Sequence, residues 1–198
     1  MFTKTQAEIL KIFVSQIDRR FSIKEIAEML KKPYPLIHRS IQDLLKKGFL
    51  IKDEKHFLSL NYRKNHTELG YVEALRSKQA LDKDKILSLF LQDVKNKLSL
   101  NFFVLLIFGS YVEKSNPRDI DIILILEDEK RLSEVEKTMQ NIASQFTKNF
   151  EIQVVSTKSA HEMLAKRENL NILNESLNKH LVLFGAENYY WMVSHARQ

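Results

Sequence analysis

No cysteine occurs among the 198 residues, which excludes disulfides, thiolate zinc sites, iron–sulfur clusters and cysteine nucleophiles. Metal or nucleophile chemistry therefore falls to carboxylates, histidines or hydroxyls. Glycine and proline number only 4 and 3, leaving no room for collagen-like or Gly/Ser/Pro-rich disordered tracts. No apolar run approaches the roughly 20 residues a membrane-spanning helix needs; the longest is Phe102 to Phe108. The opening MFTKTQAEILK lacks the pattern of a signal peptide, so the chain reads as cytoplasmic, with no membrane partner. The six histidines form no HxxxH spacing, and His161-Glu162 lacks the second histidine of a zincin, so a surface role is expected for them. What is present is the composition of a soluble globular protein, 44% hydrophobic and 28% charged, of a length that suits one large domain or two small ones.

The net charge of +6 is uneven. Residues 1–65 hold 14 Lys and Arg against 7 Asp and Glu, whereas residues 66–198 hold 17 against 18. A basic module on a near-neutral body points to a polyanion such as nucleic acid, or to a merely solubilising lysine-rich surface. Within that module Ile9, Leu10, Phe13 and Ile17 form one helical stripe. Ser22 and Glu25 form a capping box ahead of Ile23, Ile26, Ala27 and Leu30, the apolar face of a second helix. Pro33-Tyr34-Pro35 breaks that helix and opens a third, which turns Ile37, Ile41, Leu44 and Leu45 inward and ends at Gly48. Phe49 to Lys52 and His56 to Leu60 flank a polar turn and fit a hairpin, with Phe57 and Ser59 alternating.

This order over residues 1–65 resembles a winged helix-turn-helix. The resemblance implies double-stranded DNA as partner. It gives the reading role to Tyr34, His38, Arg39 and Gln42 on the third helix, and places Lys46, Lys47, Lys52 and Lys55 near phosphates. A winged helix used for protein contacts is the other reading.

A connecting helix is expected over residues 66–83, despite Gly70, with a boundary at Asp82 to Asp84 and no flexible linker. The remaining unit, 84–198, opens with a helix from Ile86 to Leu98. A continuous apolar strand, Phe102 to Phe108, then ends at Gly109-Ser110, and Asp119-Ile120-Asp121 begins a second, Ile122 to Leu126. On an extended strand the two aspartates share a face about 7 Å apart. Carboxylates so placed repel each other unless a cation intervenes, and Mg²⁺ suits them because it shares its coordination with phosphates and water. Gly109 permits close backbone approach to a phosphate, and Ser110 offers a hydroxyl and an amide. A helix with Leu132, Val135, Met139, Ile142 and Phe146 on one face leads to the strand Phe150 to Val155. A helix from Asn169 to Lys179, a last strand Leu181 to Phe184 and an aromatic tail of Tyr189, Tyr190, Trp191 and Met192 close the chain. The aromatics are expected to pack rather than to stack on bases.

Strand, Gly-Ser, loop, Asp-x-Asp, strand is similar to the signature of the DNA polymerase beta superfamily of nucleotidyltransferases, over about residues 84–185. The whole chain is thus expected to be α+β: a winged helix-turn-helix followed by a small mixed-sheet domain flanked by helices. The resemblance implies transfer of a nucleoside monophosphate from an NTP, with ATP favoured, to a hydroxyl of a protein or other acceptor. It makes Asp119 and Asp121 ligands of Mg²⁺ or Mn²⁺ and gives Gly109, Ser110 and Arg118 the nucleotide. Lys114 and Arg118 are either phosphate-neutralising or simply solvated. The family's third carboxylate is expected at 153, where this chain has glutamine; Glu151, two residues earlier on the same face, is the candidate replacement as catalytic base or metal ligand. Minimal members of this kind are often antitoxins that modify a HEPN-type toxin, which names an acceptor to test. The rival reading is a DNA-binding regulator whose nucleotidyltransferase domain only senses nucleotide. A homodimer fits either.

Overall fold

The computed structural model describes residues 2–98, 103–113 and 117–197. Phe102 and Lys114, both named above, lie outside the described residues. The chain is a mixed α+β structure, as expected. Helix α1 (Lys4–Ser15) starts in a capping box between Thr3 and Gln6. Helix α2 (Ile23–Leu30) starts in the expected one: the Ser22 hydroxyl accepts from the Glu25 amide at 3.2 Å, and the Ser22 amide donates to the Glu25 carboxylate at 2.6 Å. Helix α3 (Tyr34–Lys46) follows with Pro35 in its first turn, and Ile37, Ile41 and Leu44 are fully buried. Strands β1 (Leu50–Lys52) and β2 (Leu58–Leu60) pair antiparallel, and Phe21 bridges Leu58 through two backbone hydrogen bonds. The inward positions of this hairpin are Leu50, Leu58 and Leu60; Phe57 is 39% exposed.

Helix α4 (His66–Lys83) is more than a connector, because it packs on α1 and on strand and helix elements near the C-terminus, burying Leu69, Val72 and Glu73. Helix α5 (Lys85–Lys97) begins at Asp84, whose carboxylate accepts from the Ile86 and Leu87 amides. Strand β3 (Phe103–Phe108), the one-turn helix α6 (Ser110–Glu113), strand β4 (Asp119–Leu126), helix α7 (Leu132–Ala143) and strand β5 (Asn149–Ser156) follow. Helix α8 (Thr157–Ala165) follows where none was expected, and the short α9 (Ile172–Ser176) stands in place of the longer helix expected from Asn169 to Lys179. The asparagines are the reason. Asn171 caps α9, and the Asn171 and Asn174 side-chain amides donate to the Met163, Lys166 and Asn169 carbonyls, holding the intervening segment as a loop. Strand β6 (His180–Phe184) and helix α10 (Ala186–Ala196) complete the fold.

The four-stranded sheet runs β5-β4-β3-β6, with β3 antiparallel to both neighbours and β4 parallel to β5. Its two faces own separate cores. On β4, Ile120, Ile122, Leu124 and Leu126 face a cluster with Leu87, Phe90 and Val94 of α5 and Val135, Met139 and Ile142 of α7. Ile123 and Ile125 face the other way, into a cluster that holds Tyr189, Tyr190 and Val193 of α10 and also Ile9, Leu10 and Phe13 of α1. The hydrophobic cores therefore divide along the sheet rather than along the chain. Polar contacts reinforce this union: the Ile17 amide donates to the Leu177 carbonyl at 3.0 Å, and the Asp18 side chain pairs with the Arg197 guanidinium at 2.5 Å. The aromatic tail belongs to this packing, with Tyr189 and Tyr190 fully buried and Trp191, 52% exposed, stacked on His195. No helix among the described residues is long and apolar enough to cross a membrane.

Candidate active site

Strand alternation delivers the acids to one place. Asp119 and Asp121 continue the face of Ile123 and Ile125, at the end of β4 where the apolar cover thins, and both are half-buried. Parallel pairing sets Asp121 beside Glu151 and Asp119 beside Asn149. Gln153 is paired with Ile123, one step further into the sheet, and so stands away from Asp121 along the strand. The carboxylate beside Asp121 is thus Glu151. Burial first, then the charges of Glu151 and Asp119 and a hydrogen bond to Glu151, push the Asp121 carboxyl above its ordinary range. Asp119 is held from the side, accepting from the Asn149 amide at 2.9 Å.

Gly109 closes the site from the neighbouring strand. Phe108 pairs with Asp121, and the next residue turns with φ +68°, a left-handed conformation that side chains disfavour. A Cβ built there would lie 2.7 Å from Asp121 Oδ2. Glycine at 109 is therefore what lets the Asp121 carboxylate rest against the backbone. The Gly109 amide donates to the Lys179 carbonyl at 3.1 Å, and Ser110 opens α6 directly afterwards. Arg118, just before Asp119, is exposed.

The residues present fit a hard divalent cation. Among the described residues no three His, Cys, Asp or Glu side chains converge to hold a metal ion unaided. Asp119 and Asp121 offer what Mg²⁺ uses, one or two carboxylates completed by substrate phosphates and water. Burial, and after it the charges of Glu151 and Asp119, disfavour the ionised Asp121 carboxyl, and a bound cation offsets both.

The residues expected to read DNA gather elsewhere. Tyr34, His38, Gln42 and Lys46 recur every fourth residue along α3 and are exposed, as is Arg39. The Tyr34 and His38 rings stack at 6.0 Å, and the Gln42 amide lies 3.5 Å from the His38 ring. Lys47 is exposed but pairs with Asp43 at 3.7 Å. Lys52 on β1 and Lys55 in the turn are exposed on the hairpin.

A buried polar network went unread in the sequence. Glu73 is fully buried and accepts twice from Arg76, at 2.7 and 2.8 Å, and from Tyr190 at 3.1 Å. Arg76 also donates to the His180 carbonyl at 2.7 Å, pinning the start of β6 next to the Lys179 carbonyl that holds Gly109. His180 is fully buried, correcting the surface role expected for the histidines. Its Nδ1 donates to the Ser176 carbonyl at 3.0 Å. Burial and Arg76 drive its pKa down to about 3, so the ring is neutral. The only sequence trace of this network is the i, i+3 spacing of Glu73 and Arg76 on one helix.

The comparison with curated proteins gave no match. Among solved structures, the crystal structure of Pseudomonas aeruginosa HmgR is similar at 21% identity over 61% of this chain and 45% of that one, with a TM-score of 0.30. The chain thus spans less than half the length of that protein, and so low a TM-score carries no argument. Residues 92–176 match the family described as polymerase beta, nucleotidyltransferase. The matched stretch takes in Gly109, Ser110, Asp119, Asp121 and Glu151.

Proposed function

We propose that the protein transfers a nucleoside monophosphate from an NTP, ATP in the first instance, to a hydroxyl, and that its N-terminal unit is a DNA-binding winged helix. The observation that carries the first part is the register of Asp121 with Glu151 beside the Gly109 turn, inside the family-matched stretch. Asp119 and Asp121 would hold the divalent cation, which supplies Lewis-acid stabilisation of charge on the triphosphate. Ser110 and the backbone beside it receive the phosphate oxygens, and Arg118 adds positive charge. Glu151 takes the proton of the acceptor hydroxyl as its oxygen bonds to the α-phosphorus and the bond to the departing pyrophosphate breaks. Asn149 fixes the Asp119 carboxylate through the transfer. Following the family resemblance, a HEPN-type toxin is the protein acceptor to try first.

The DNA-binding part rests on the basic excess of residues 1–65 and the exposed row on α3. A second reading, nucleotide sensing without transfer, is favoured by the lack of three converging metal ligands among the described residues. The test is incubation of the chain with α-³²P-ATP, Mg²⁺ and candidate acceptors, followed by electrophoresis. Label on an acceptor with wild type and none with Asp119→Asn/Asp121→Asn supports transfer. Mg²⁺-dependent ATP binding without labelling of any acceptor supports sensing, and absence of both overturns each reading.

A further inference from the structure

A second charged feature is a cleft that none of the three carboxylates of the candidate active site lines. The cleft, of about 940 Å³, opens between α1 and α4 on one side and α5 and α6 on the other, a size suited to a small-molecule ligand. Its walls carry Lys11, Arg76, Lys83, Lys85 and Lys148, together with the Tyr111 ring. Facing these five cations are two carboxylates, Asp82 and Asp84, and Glu73 behind Arg76 makes a third acid, so two positive charges are left over.

The acids are already committed. Asp84 caps α5, accepts from Tyr111 at 3.1 Å and pairs with Lys148 at 2.6 Å. Burial alone would raise its carboxyl, but these bonds outweigh burial and hold it below the usual range. Glu73 is saturated by Arg76 and Tyr190. The cations are less satisfied. Lys83 and Lys85 are exposed and have no ion-pair partner among the described residues, and Lys11 donates only to the Gln79 side chain, at 3.0 Å. Burial holds the Lys11 ammonium below its ordinary range, an effect that Glu8 partly offsets and Arg76 adds to least. Like charges gathered in a concave site in this way are relieved by a bound anion.

Two observations separate this cleft from the candidate active site. None of Asp119, Asp121 and Glu151 lines it, and its apolar wall residues Ile86, Val112 and Leu181 belong to the core on the α5 and α7 face. The chain divides the two places at consecutive residues: Lys148 reaches Asp84 in the cleft, while Asn149 reaches Asp119.

We propose that this cleft is a second ligand site, which binds a phosphate-bearing nucleotide without a divalent metal: lysines take the phosphates, and Tyr111 with the apolar wall receives the base. The site bridges α1 of the N-terminal unit and α6 of the family-matched stretch, so its occupant touches both.

Isothermal titration of the full chain with ADP in EDTA tests this. Saturable binding is expected in wild type and, within about twofold, in Asp119→Asn/Asp121→Asn. Pyrophosphate should compete, and Lys83→Glu/Lys85→Glu should weaken binding by about tenfold or more, with Lys11→Gln weakening it in the same direction. Both exposed lysines can be changed without disturbing a core. No binding in EDTA, loss of binding in the double aspartate variant, failure of pyrophosphate to compete, or indifference to the lysine changes would each overturn the proposal. The Mg²⁺-dependent titration that tests the carboxylate site is separate, so either site can fail alone.

Discussion

Replacing Gly109 by alanine isolates the feature on which the site geometry depends. The substitution does two things. It forces a Cβ into the left-handed region, at φ +68°, which costs about 1–2 kcal/mol. It also sets that Cβ 2.7 Å from Asp121 Oδ2, about 0.7 Å inside ordinary contact, so the carboxylate must move. Gly48 supplies the control, because it has φ +74° but nothing within 4 Å of a built Cβ. Gly48→Ala should therefore carry the backbone cost alone, a fall in Tm of about 2–4 °C per kcal/mol for a chain of this size. Gly109→Ala should show that cost and, in addition, lose Mg²⁺-dependent ATP binding. Any transfer should drop by roughly two orders of magnitude, as misplacement of a catalytic group by about 1 Å does. Thermal unfolding and calorimetry of the two variants are the assays. Equal effects of the two variants on nucleotide binding, or wild-type binding by Gly109→Ala, would refute the claim that the glycine exists to seat Asp121.

Three further outcomes follow from the same contacts. Asp119→Asn/Asp121→Asn should abolish metal-dependent nucleotide binding yet raise the Tm of the metal-free protein. The sign follows from the raised Asp121 carboxyl: a group held above its unfolded value contributes stability at low pH that is lost as pH rises through the folded value, so the gain should appear above the carboxylate range and vanish in acid. Buried neutral His180 acts oppositely. With a folded pKa of about 3 against about 6.5 unfolded, it should cost about 1.4 kcal/mol of stability per pH unit as pH falls from 6 towards 4, a slope that His180→Gln should reduce in urea unfolding across that window. On the N-terminal unit, Arg39→Ala and Gln42→Ala should relax sequence preference in duplex-DNA binding, while Lys52→Ala and Lys55→Ala should weaken all sequences alike and flatten the salt dependence, as fluorescence anisotropy at several salt concentrations would report.

Much of the local structure was legible because its causes are local. The Ser22 and Glu25 box, the proline-opened α3 and the alternation that puts Asp119 and Asp121 on one face each need only a few consecutive residues. The α8 helix was missed although Ser156 caps it by accepting from the Ser159 amide, because no glycine or proline punctuates that stretch. Which of Glu151 and Gln153 stands beside Asp121 could not be read from either strand, since a parallel register is fixed by packing between strands joined through α7. The same holds for the Glu73, Arg76, His180 and Tyr190 network, whose members lie as far as 117 residues apart. It holds too for the cationic cleft, which exists only once α1, α4, α5 and α6 meet.

The claim most in need of a direct trial is that Glu151, rather than position 153, supplies the third carboxylate. Single-turnover transfer from α-³²P-ATP to an acceptor that wild type labels should fall by roughly 10²-fold or more in Glu151→Gln, with Mg²⁺-ATP affinity largely kept, because a base acts in the transition state. Gln153→Ala, paired with Ile123, should leave the rate near wild type. An unchanged rate in Glu151→Gln, or a collapse in Gln153→Ala with Glu151 intact, would contradict the account.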